Sequence, residues 1–147
     1  MKSFTVCLSL LLLFCMNTFG QAYLKLESSD VDSKKVEIAR KFADSYLTQL
    51  KNNSYYQFKD DAIDVLKNQL TEERQKTSYQ QIKDLFGDYK SLDYAETWIQ
   101  KGDAVFKIYR FKGEFDKSTD KLEIRVILNG SDQVAGLWIK PWDDSLK

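Results

Sequence analysis

The stretch GDAVFKIYRFKGEFDKSTDKLEIRVILNG, Gly102 to Gly130, decides the fold. Apolar and polar residues alternate with period two on both sides of Asp116-Lys117-Ser118-Thr119, which reads as two antiparallel strands joined by a turn. A bend at Lys117-Ser118 sets Lys112 opposite Glu123 and Glu114 opposite Lys121, two favourable pairs, and Arg110 opposite Arg125, an unfavourable one. One face then carries Val105, Lys107, Tyr109, Phe111 and Phe115 with Leu122, Ile124, Val126 and Leu128. The other carries Phe106, Ile108, Arg110, Glu123, Arg125 and Ile127.

Working outward, Gly102-Asp103 suits a two-residue hairpin, which adds Tyr94, Glu96, Trp98 and Gln100 to the first face. A turn at Asn129-Gly130-Ser131-Asp132 adds Ala135, Leu137 and Ile139 to that face and Trp138 to the opposite one. Four strands in an antiparallel meander follow. Upstream the spacing becomes helical. Val36, Ala39, Ala43, Tyr46, Leu47 and Leu50 mark a first helix over about Ser33 to Lys51. Tyr55, Phe58, Ala62, Ile63, Leu66 and Leu70 mark a second, interrupted near Asp60. Thr71, Glu72 and Glu73 start a third, which Gly87 ends. Helices followed by strands indicate an α+β domain, with three helices packed on a four-stranded sheet.

Lys2, the apolar run Phe4 to Met16 and the small residues before Gln21 read as a secretory signal, residues 1–20, cleaved after Gly20. The expected division is a signal over 1–20, an N-terminal extension over 21–31, the domain over 32–142 and a tail over 143–147. Removing 20 of the 147 residues leaves 127, a single domain expected to be periplasmic or secreted, with no membrane span once the signal is gone. A lipidated Cys15 is disfavoured by Phe14, which stands where a small residue is required. The mature chain holds no cysteine and the whole chain no histidine, which removes imidazole and thiolate chemistry and Cys/His metal sites. Asp60, Asp61 and Asp64 lack the spacing and glycine of a calcium loop, so no metal or cofactor is expected. With Lys2 gone, 21 basic residues face 22 acidic ones, and no basic stripe suits nucleic acid.

The three helices, the junction Gly87-Asp88-Tyr89-Lys90-Ser91 and the stretches Leu122 to Val126 and Val134 to Pro141 resemble the nuclear transport factor 2-like superfamily with its cystatin-like cone, and more narrowly its uncharacterised exported bacterial domains. That resemblance covers most of residues 30 to 142. It implies a curved sheet and helices enclosing a pocket, often in a dimer. The superfamily includes isomerases, dehydratases and epoxide hydrolases beside proteins without chemistry, so the fold assigns no reaction. No catalytic residue is carried over. The dehydratase pattern needs histidine, and Arg110 and Arg125 stand on the face away from the expected cavity.

The expected site is therefore a binding pocket. Tyr94, Trp98, Tyr109 and Phe111 would wall an apolar or aromatic ligand oriented by Glu96 and Lys107. A carboxylate-based isomerase or hydrolase using Glu96 is the second reading. A third is an interaction module on the outer sheet face, where Phe106, Ile108, Ile127 and Trp138 would form a homodimer or other protein contact. Trp142 is expected to anchor the tail against the domain.

Overall fold

The computed structural model describes residues 22–102 and 104–146; the expected signal segment with Cys7 and Cys15, its cleavage point, and Asp103 of the first turn lie outside the described residues. A single sheet runs β1 (Ala22–Lys25), β2 (Tyr89–Lys101), β3 (Phe106–Phe115), β4 (Leu122–Leu128) and β5 (Val134–Pro141), with every neighbouring pair antiparallel. Helices α1 (Ser33–Lys51), α2 (Asp64–Gln69) and α3 (Glu72–Phe86) supply the second layer. The α+β class is as expected. The fifth strand, β1, corrects the expectation of four. Its four residues are too short for a periodicity signal, and it lies in the segment expected to be an extension.

Helix α1 starts where the Asp32 carboxylate accepts from the Lys34 amide at 2.9 Å. Ala39, Phe42, Ala43, Tyr46, Leu47 and Leu50 recur at helical spacing and are buried against the sheet. Thr71 caps α3 by accepting from the Arg74 amide. Gly87 ends it at φ 86 and ψ −165, backbone that only glycine adopts readily. A Cβ there would overlap the Asp116 carboxylate, which accepts from the Asp88 amide at 2.9 Å and so ties this junction to the β3–β4 turn.

The second expected helix is much shorter than its apolar spacing suggested. Its first half forms no helix because other groups answer its backbone. The Gln75 side-chain amide accepts from the Tyr56 N–H at 2.9 Å and donates to the Tyr56 carbonyl at 3.0 Å, as a neighbouring strand would. Ala62 bridges Val134, with Ile63 N–H donating to the Val134 carbonyl at 3.0 Å. Satisfied backbone removes the incentive to coil.

The β3–β4 register is the expected one, with Lys112 opposite Glu123 and Arg110 opposite Arg125. The β2–β3 register is not. Pairing stops at Gln100–Phe106, so the connection is longer than a two-residue turn, Val105 precedes the strand and is 57% exposed, and a bulge at Ala95 recovers the shift between Tyr94–Phe111 and Glu96–Arg110. A one-residue slip reverses every side chain. Tyr94 therefore stays on the helix-covered face with Thr97 and Ile99, while Glu96, Trp98 and Gln100 turn outward. The helix-covered face is filled: Phe111, Ile124 and Val126 are 0% exposed, and the space among Tyr46, Leu50, Tyr79 and Leu137 is about 10 Å³, one water's worth. The side chains behind the centre of the sheet are therefore close-packed.

Candidate functional site

Outward-turned Glu96 meets the charged face of β3 and β4. Arg110, 0% exposed, lies opposite Arg125, and the diagonal position Glu123, also 0% exposed, reconciles the two cations. Arg110 donates through Nε to Glu123 Oε1 at 2.8 Å and through Nη2 to Oε2 at 3.0 Å, a bidentate pair. Its Nη1 donates to Glu96, and Nη2 also to the Asp143 carbonyl. Arg125 Nε donates to Glu123 Oε1 at 2.6 Å, and Lys140 Nζ stands 3.7 Å from Oε2. Trp142, expected to anchor the tail against the domain, lies over this cluster, its ring 4.3 Å from the Arg110 guanidinium carbon and 4.6 Å from Lys112 Nζ. The tail is thus part of the fold.

Burial pushes the Glu123 carboxyl up, but hydrogen bonds from Arg110 and Arg125 outweigh it and hold the group below its ordinary range. Glu96 behaves alike. Burial raises it, and hydrogen bonds from Lys25, Trp98 and Arg110 bring it below normal. Its Oε2 pairs with Lys25 at 2.6 Å and its Oε1 accepts from Trp98 Nε1 at 2.9 Å and from Arg110. Both Glu96 oxygens are thus engaged and its basicity is reduced.

Beside the bulge a cleft of about 460 Å³ opens between β2 and the segment leading from β1 into α1. Leu26, Val31, Val36 and Tyr94 give it apolar wall, and Lys25, Glu27, Ser28, Ser33 and Glu96 give it polar groups. Ala95 lines it because the bulge swings that residue out of the ladder.

The six expected pocket residues are thereby parted. Tyr94, 39% exposed, faces the cleft and shares a 2.8 Å hydrogen bond with the Thr97 hydroxyl. Glu96 reaches the same cleft from the outer side. Tyr109 and Phe111 are core, Lys107 is half-buried on the helix side, and Trp98 is half-buried on the outer face. Phe106, Ile108, Ile127 and Trp138 share the outer face as expected; Ile108 is 1% exposed and the other three are half-buried. Among the described residues, no group of His, Cys, Asp and Glu is arranged to hold a metal ion. The charge cluster escaped the sequence reading, although the like-charged Arg110–Arg125 pair signalled that a carboxylate had to stand between them.

Compared with protein families, residues 43–137 match the model described as "Protein of unknown function (DUF3887)". Comparison with curated proteins and with solved structures gives no match.

Proposed function

We propose for this chain, which belongs to the DUF3887 family of proteins of unknown function, a non-catalytic ligand-binding role in an exported domain of nuclear transport factor 2-like type. The observation that carries this reading is the cleft beside Ala95. Its volume of about 460 Å³ falls within the range of about 300 to 1,000 Å³ typical of small-molecule sites. Its lining, half apolar and half polar or charged, suits a small amphipathic molecule. Glu96 and Lys25 orient such a ligand, while Tyr94, Val31 and Val36 take its apolar part. Export rests on the pattern from Lys2 to Gly20, and the superfamily reading rests on helices preceding a meander.

The test uses the neutral dye N-phenyl-1-naphthylamine, which brightens in apolar surroundings. Saturable enhancement is expected with the wild type and not with Ala95→Trp, which fills the cleft from an exposed position. Equal enhancement in a folded Ala95→Trp protein, or none in the wild type, refutes the cleft. Amino-terminal sequencing of protein recovered from expressing cells checks export, with Gln21 expected first.

A further inference from the structure

The chain beyond β5 is fastened differently from the rest of the fold. Pro141 pairs with Leu122, the Trp142 N–H donates to the Lys121 carbonyl at 3.2 Å, and the Trp142 ring then lies over Arg110 and Lys112 of β3, two strands away. The segment shapes itself into a hook. Trp142 Nε1 donates to Asp144 Oδ1 at 2.9 Å, and the Asp143 carboxylate accepts from the Ser145 N–H at 2.9 Å and from its hydroxyl at 2.8 Å.

What the hook covers is already built. Arg110 donates to Glu123 through Nε at 2.8 Å and Nη2 at 3.0 Å and to Glu96 through Nη1, so its guanidinium is held in place by the strands themselves. The tail adds the Asp143 carbonyl as a further acceptor for Nη2 and one aromatic face shared by two cations. Trp142 stands outside the buried core, and Asp143 and Asp144 are exposed, whereas Arg110 beneath them is 0% exposed. A terminal segment held by such contacts opens locally without unfolding the sheet. Its contacts also display what the site selects: an indole for the cations, the next residue's carbonyl for Arg110, and an acid two places after the indole to lock its N–H.

We propose that residues 142–146 are a releasable strap over a peptide site centred on Arg110 and Lys112, and that the partner is a protein segment of the same chemistry, a tryptophan followed by acidic residues. A tethered strap competes at high effective concentration, so a free segment enters only where the strap is weakened or outmatched. This site is separate from the Ala95 cleft and does not depend on it.

The test uses the full chain and a fluorescein-labelled peptide copying residues 141–146, followed by fluorescence anisotropy at constant ionic strength. Trp142→Ala, whose strap has lost its ring, is expected to bind the peptide saturably, and the wild type, whose own tail fills the site, at least roughly tenfold more weakly. A peptide with alanine in place of tryptophan is expected not to bind, and Lys112→Met added to Trp142→Ala is expected to weaken binding severalfold. No binding to folded Trp142→Ala, equal binding to the wild type, or equal binding of the alanine peptide overturns the proposal. Hydrogen exchange of the Trp142 indole N–H needs only the wild type. Its protection is expected to be at least roughly tenfold lower than that of the β4 amides; equal protection means that the tail leaves only on unfolding, which overturns the strap.

Discussion

Replacing Arg110 with Met tests the central claim about the outer face, that a buried charge cluster there is structural. The long apolar side chain fills much of the vacated space, so the change removes mainly charge and hydrogen bonds. Removing one partner of a buried ion pair costs about 3–5 kcal/mol, because the other is left uncompensated. Here neither carboxylate is wholly abandoned. Glu123 keeps Arg125 at 2.6 Å, and Glu96 keeps Lys25 at 2.6 Å and Trp98 at 2.9 Å. The lower end, about 3 kcal/mol, is therefore expected. With a urea slope of about 1.5 kcal/mol/M, the unfolding midpoint falls by about 2 M with the slope unchanged. Lys121→Met breaks the exposed pair with Glu114 and serves as the control, with no measurable shift expected. Combining Arg110→Met with Glu123→Gln should give less than the sum of the two, with a coupling of at least about 1.5 kcal/mol. A loss below about 1 kcal/mol, or additive effects, would falsify the buried pair as drawn and mean that water reaches Arg110.

Acid should weaken the protein through the same groups. Glu96 and Glu123 sit below their ordinary value of 4.5 when folded, so the unfolded chain binds more protons, and their stabilisation is complete above that value and lost as pH falls below it. Urea midpoints measured from pH 7 to 3 should fall steeply below pH 4.5 in the wild type and less steeply in Glu96→Gln; parallel profiles would refute this assignment. Gly87→Ala should cost about 3 kcal/mol or more, since it combines a backbone conformation worth about 1–3 kcal/mol of strain with overlap against Asp116 and Lys117. Thermal denaturation reads it, and a change under about 1 kcal/mol would mean that the α3–β2 junction relaxes freely.

Much of this arrangement is legible in the sequence. The β3–β4 pairing followed from two favourable charged pairs, against one unfavourable, and an alternation strong enough to fix which face is buried. Both ends of α3 followed from Thr71 and Gly87, whose chemistry is local. What was lost depended on partners distant in sequence. Residues 55–63 have helical spacing but are kept out of a helix by Gln75 and Val134. The bulge at Ala95 turns Glu96 and Trp98 outward, and alanine carries none of the signals that glycine or proline would give there. The site suffered most from that slip. Glu96 was set among core aromatics instead of beside Arg110, and Arg110 was passed over because it faces away from the helix-covered side.

The position of β1 also bears on how the molecule moves. Strands β3, β4 and β5 join through short turns and close cheaply, whereas Ala22 must find Lys101 across most of the chain to complete a four-residue edge ladder. Such a strand forms last and frays first. Because Lys25 and Leu26 wall the cleft, its fraying opens that cleft without disturbing the helix-covered core, and amide exchange in the 22–26 segment should be the fastest of any strand in the sheet. The proposed ligand then acts as a clasp, slowing exchange in a segment that the rest of the protein does not need in order to stay folded.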